Sequence, residues 1–241
     1  MSRLVPQLRT ELTLMLRNGE QVLLTLGIPV LLLVFFSLVD VLPTGTPDPI
    51  DFLAPGVLAL AVMSSAMVSL GIATGFERSY HVLKRLGTTP LGRPRLIAAK
   101  IAAVAVVELI QFAVLVPVAY ALGWSPSAPN WAAGIGAVLL GTAAFAGLGL
   151  VMAGRLRGEI NLAAQNGLYL VLLLLGGMVI PFAELPSTIR FVAHSLPAGA
   201  LADVLREALT GAGTQPGTSW AVLAGWAVVT PALASWLFRW D

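Results

Sequence analysis

The sequence predicts an all-helical integral membrane protein with six spans, and three observations carry that reading. Hydrophobic residues make up 57% of the 241 positions and charged residues only 11%, which leaves too little polar surface for a water-soluble domain of this size. The apolar residues come in continuous runs of about 20, the length a helix needs to cross the hydrocarbon core. They do not alternate as the strands of a transmembrane barrel do. Finally, twelve of the 14 basic residues fall into one set of connecting segments: Arg3, Arg9, Arg17, Arg78, Lys84, Arg85, Arg93, Arg95, Lys100, Arg155, Arg157 and Arg239. Only Arg190 and Arg206 fall elsewhere. The positive-inside tendency then places both termini in the cytoplasm, at the cell membrane, and requires an even number of spans.

Residues 2–19 read as an interfacial helix. Leu4, Val5, Leu8, Leu12, Met15 and Leu16 share an arc of about 120°, and Pro6 suits a first turn. Arg9, Glu11 and Arg17 interrupt what would have to be the apolar core of a signal peptide. The first span covers 22–42, with Pro29 placed to kink it or to free a carbonyl for a neighbour. Asp40, Asp48 and Asp51, with no Lys or Arg among them, mark an outward loop before the second span at 52–75. After a basic segment come span three at 96–122, an uncharged turn, and span four at 131–153. Gly141, Ala144, Gly147, Gly149 and Ala153 in span four predict close internal packing. Span five covers 162–182, opening on Asn161, Gln165 and Asn166 as a polar interfacial start, and span six covers 220–238. Trp124, Trp131, Trp220, Trp236 and Trp240 lie near span ends, as interfacial anchors do. Between the last two spans, 184–213 is punctuated by Pro186, Pro197, Arg190, Asp203, Arg206 and Glu207. Its apolar stretches are too short to cross, so it reads as one or two re-entrant or interfacial helices on the outer side.

The basic segment 76–100 has more order than a solvated charge run. From Glu77 to Leu86 it has helical character, with Val82, Leu83 and Leu86 in one arc and charge opposite. Gly87 can close that helix, and Thr88-Thr89-Pro90 turns the chain. Glu77-Arg78, Val82-Leu83, Leu86 and Thr89-Pro90-Leu91 with Arg93 resemble the cytoplasmic loop of ABC-2 type transporter permeases, a departure being His81 where the family often has glycine. A second resemblance follows at the family's usual spacing: Gly177, Pro181, Leu185-Pro186, Leu196-Pro197 and Leu205-Arg206. Together they cover nearly the whole chain as a single transmembrane domain, 1–241. The resemblance implies that 77–90 is a coupling helix, with Glu77, Arg78, Val82, Leu83, Leu86, Thr89, Pro90 and Leu91 engaging a separate ATPase. It further implies two copies of that ATPase, which bind ATP and Mg, and a second permease copy or related permease. No cofactor is expected in this chain.

Other chemistries fit poorly. Neither Lys84 nor Lys100 precedes Ser or Thr, so a P-loop is missing. His81 and His194 fall in loops on opposite sides, which suits neither an intramembrane protease nor a shared zinc ion. No catalytic residue, metal or nucleic-acid partner is expected; the partners are the ATPase, the second permease and membrane lipid. Glu108 is the one acid deep inside a span, with Gln111 one turn on, and an intramembrane carboxylate marks a possible transport path or a structural anchor. The resemblance places spans one and five beside the pathway. The bulky uncharged runs 31–36 and 172–178 then favour a hydrophobic or amphiphilic cargo, a drug or antibiotic, with lipid or polysaccharide export as the alternative. A membrane-embedded enzyme or assembly factor without an ATPase is a further one.

The chain has no cysteine, so single-cysteine variants report topology cleanly. An impermeant thiol reagent added to whole cells is expected to label Ser127→Cys and to leave Ser79→Cys unlabelled. The reverse pattern overturns the orientation.

Overall fold

A computed structural model describes residues 4–39, 48–87, 92–126 and 129–237, and regular structure among them is helical. The order is α1 (Leu4–Arg17), α2 (Gly19–Leu38), α3 (Pro49–Met63), a π-helical segment (Ser64–Ser69), α4 (Leu70–Ser79) and α5 (Val82–Gly87). Then follow α6 (Arg93–Ala121), α7 (Trp131–Ala153), α8 (Gly158–Leu175), a 3-10 turn (Phe182–Glu184), α9 (Ser187–Ser195), α10 (Pro197–Thr210) and α11 (Pro216–Leu237). Among the described residues, five stretches are long and apolar enough to cross a membrane: Pro49–Ser79, Arg95–Ala121, Trp131–Ala153, Gly158–Leu175 and Pro216–Leu237. Of the helix expected to be the first span, the apolar stretch described is Thr25–Leu38, short of the roughly 20 residues that a crossing takes.

Small residues set the packing. In lipid there is little hydrophobic drive for helix association, so close backbone approach and interhelical hydrogen bonds replace it. α7 is the hub, as its glycines predict. A side chain on Gly149 would lie 2.6 Å from the Met67 carbonyl oxygen, and one on Gly147 would lie 2.5 Å from the backbone of Pro231 in α11. Thr230 donates to the Ala144 carbonyl across that second contact at 2.7 Å. Asn161 and Gln165, fully buried in α8, staple it to its neighbours: Asn161 donates to Gly71 O at 2.9 Å and Gln165 to Gly149 O at 3.0 Å. They are interior struts, whereas the sequence placed them in a polar interfacial start. Pro29 lacks the N–H that would bond Thr25 O four residues back, and the Gln111 side chain fills that vacancy at 2.7 Å.

Beyond α8 the chain turns at Gly177, whose φ of 63° lies in the left-handed region. That ends α8 at Leu175, seven residues before the expected end of the span at 182. Arg206, on α10, donates to the Gly177 carbonyl and lies 3.9 Å over the Phe52 ring. Two residues of the C-terminal motif, 29 positions apart, therefore meet directly. Pro186 caps α9 and Pro197 opens α10, where the missing N–H costs nothing. α10 is buried on nearly all sides. Its Asp203 accepts from Thr214 N and Oγ1 (both 2.6 Å), Gln215 N (2.9 Å) and Ser219 Oγ (2.8 Å), tying α10 to the start of α11. Burial alone would raise the Asp203 pKa, but these bonds together hold it below its ordinary value. Trp124, just past the end of α6, is buried against Tyr120 and Trp131.

The hub predicts two contrasting outcomes in thermal melts of detergent-solubilised protein. Gly149→Val forces α7 away from the π segment and is expected to cost about 1–3 kcal/mol, the usual range for overpacking. Gly167→Ala, with open space around it, is expected to leave the midpoint unchanged or slightly raised.

Candidate functional site

Two regions carry polar groups arranged for more than packing. One is the basic end of the bundle. Lys100, in the second turn of α6, is 1% exposed, and its Nζ lies 2.9 Å from Glu11 Oε2 and 2.8 Å from Glu77 Oε2. Gln7 donates to the other Glu11 oxygen at 2.8 Å. A buried ammonium requires paired anions, and here they come from α1 and α4, so three elements close on one cation. Glu77 thus points into the bundle. Arg78 donates to Ala153 O at 3.2 Å and Leu156 O at 3.3 Å, satisfying carbonyls at the C-terminus of α7 as a basic side chain does there.

The helix α5 follows one sharp turn. His81 has a φ of 59°, the sole non-glycine in the left-handed region among the described residues, so the position where the related pattern often has glycine takes a glycine-like conformation. The apolar arc then splits. Leu83 is fully buried in this chain's own core, while Val82 is 40% exposed and Tyr80, His81, Lys84 and Arg85 lie on the surface. Thr89, Pro90 and Leu91 lie outside the described residues, as does the side chain of Leu86.

The second region is a groove of about 790 Å³ between α2 and α8, floored by the π segment and α4. Its lining mixes Ile28, Val68, Ile72 and Leu162 with neutral polar groups, Asn18, Thr25, Ser64, Ser69, Asn166 and Tyr169, with no charged side chain among the described residues. The π segment makes this surface. In an α-helix, residues five apart lie about 140° from each other, but the i→i+5 turn stacks Ser69 above Ser64. Both hydroxyls therefore reach one groove, while Ser65 turns away to donate to Gln111 Oε1 at 2.8 Å. Sequence reasoning missed Thr25, Ser64, Ser69 and Tyr169; three serines within six residues of an apolar span were the available signal.

Glu108 and Gln111 do not share a surface. Gln111 is fully buried between Ser65 and Thr25. Glu108 points to α7, where Thr142 bonds its Oε2, and its Oε1 has no partner. Neither lines the groove.

Residues 7–210 match the ABC-2 type transporter family. The chain is also similar to a protein of Bacillus subtilis (strain 168) described as "Putative transport permease YvfS", 27% identical over 201 residues that cover 82% of this chain and 81% of that one.

The turn before α5 generates a prediction on stability. Relieving a left-handed non-glycine residue returns about 1–2 kcal/mol, while glycine's extra chain entropy costs about 0.5–1 kcal/mol. His81→Gly is therefore expected to raise stability modestly, by roughly 0.5–1 kcal/mol, read as a higher thermal midpoint. Leu83→Ala, which empties a buried site, is expected to lower stability by about 2–5 kcal/mol. If Leu83→Ala melts like the parent protein, α5 does not pack on this subunit.

Proposed function

Because this chain belongs to the ABC-2 type transporter family, we propose that it is the membrane subunit of an ATP-driven exporter that moves a hydrophobic or amphiphilic compound, of the drug or antibiotic class, out of the cell. It works as a dimer with a second copy or a related permease. Two copies of a separate ATPase bind ATP and Mg and supply the energy. The observation that carries this reading is the groove between α2 and α8, the helices that correspond to the two spans expected to flank the pathway. In a dimer two such grooves face each other and enclose a cavity. Apolar walls with scattered neutral hydrogen-bonding groups suit an amphiphile, which can shed water without leaving a charge unpaired.

The basic end faces the cytoplasm in this reading, with α2 as the first of six spans and α1 lying along the membrane surface. Segment 77–90 meets the ATPase through the exposed Tyr80, Val82, Lys84 and Arg85, and the resemblance assigns Leu86, Thr89, Pro90 and Leu91 to the same contact. Glu77, Arg78 and Leu83 stay inside the permease and carry the displacement inward, because each is fixed to another helix. Nucleotide-driven closure of the ATPases then biases the bundle between inward-open and outward-open states.

The test is efflux of preloaded Hoechst 33342 from cells stripped of other exporters and expressing this permease with an ATPase of its transporter class. Ser64→Trp and Asn166→Trp, which fill the groove, are each expected to cut the efflux rate at least tenfold at unchanged protein level, with Gly167→Ala as an unaffected control. Undiminished efflux with the groove filled would put the path elsewhere.

A further inference from the structure

A second opening lies on another side of the bundle and shares no lining residue with the groove. It is a cleft of about 260 Å³ between α6 and α7, with Leu58 of α3 and Leu205 and Leu209 of α10 at its floor. Its walls include Leu109, Ile135 and Leu139, which are 66%, 61% and 56% exposed, so the cleft opens sideways on an apolar surface. Glu108 lines it, the single ionisable group among its lining residues.

We infer that this cleft binds a lipophilic ammonium that arrives through the bilayer, with its cationic head on Glu108 and an apolar body about two rings in size between α6 and α7. The carboxyl is 1% exposed and half satisfied: Thr142 Oγ1 approaches Oε2, and Oε1 has no partner. Even the first contact is shared, because the Thr142 hydroxyl also lies 2.8 Å from Val138 O and has one proton for the two acceptors. Glu108 stands eight residues beyond Lys100, about 12 Å along the helix. Among the described residues, no Lys, Arg or His lines the cleft. An incoming ammonium supplies the missing donor, together with a counter-charge for the carboxylate that forms as it binds. Phe112, one turn along α6 from Glu108 and also in the lining, sets an aromatic side chain beside the same cation. As for size, about 150 Å³ accommodates a benzene ring in an apolar protein cavity, so 260 Å³ suits a two-ring body.

The experiment is a calorimetric titration of the full-length permease in phosphatidylcholine nanodiscs, with empty nanodiscs subtracted. The probes are 2-(1-naphthyl)ethylammonium and the isosteric neutral alcohol 2-(1-naphthyl)ethanol. The ammonium is expected to saturate one site per chain and to bind at least tenfold more tightly than the alcohol. Glu108→Gln is expected to abolish that preference. Ile135→Trp, a change at an exposed wall position, is expected to abolish ammonium binding without touching the carboxyl, and it decides the matter should Glu108→Gln fail to fold. Equal binding of ammonium and alcohol, a preference that survives Glu108→Gln, or saturable binding that survives Ile135→Trp each overturns the proposal. The measurement needs neither ATPase nor transport, so its failure leaves the export reading standing, and the reverse holds too.

Discussion

One buried ammonium holds the basic end of this protein together. Lys100 brings Glu11 of α1 and Glu77 of α4 onto α6, and none of the three can leave without stranding the others. Removing one member of such a buried ionic set costs about 3–5 kcal/mol, far more than a surface pair. The cluster explains why α1 lies against α6 and why the chain leaves α4 at a fixed place. With Arg78 holding the end of α7 and Leu83 seated in the core, the short helix α5 is anchored on every side that does not face solvent.

Away from that end, polar contacts are spent where the backbone needs them. Gln111 serves the carbonyl that Pro29 released, Asn161 and Gln165 serve carbonyls on α4 and α7, and Arg206 serves the Gly177 turn. Each is a polar side chain reaching a main-chain oxygen on another element. Glycine sits at the points of closest approach, because side chains there would collide with backbone. A core built this way is specified by a few exact contacts rather than by buried apolar area, which is interchangeable with lipid.

Much of this was legible in the residues, and what was not has identifiable causes. Long apolar runs predict helices because no other backbone satisfies its own hydrogen bonds in lipid. The glycines of α7 and the freed carbonyl at Pro29 followed from sterics alone. Glu11 was harder, since an acid between Leu8, Leu12 and Met15 looks like a break in an amphipathic stripe until a buried lysine 89 positions away answers it. The stripe itself proved double: Leu8, Leu12 and Met15 are half-buried beside Glu11, while Val5 and Leu16 are exposed. For α5, an apolar arc cannot say whether it packs on its own subunit or another. The groove was invisible because a wide turn has no strong sequence signature, and 100° periodicity assigns Ser64 and Ser69 to different faces.

The π segment also says something about how this span tolerates change in length. A wide turn holds one residue more than the α turn it replaces, so it absorbs an insertion that would otherwise rotate everything beyond it by about 100°. The faces of α3 and α4 stay in phase with their neighbours across Ser64–Ser69, at Gly56 on one side and at Gly71 and Gly75 on the other. The span is thus a shorter helix carrying one supernumerary residue. The polar floor of the groove lies at that extra residue, between two flanks that each pack closely on their neighbours.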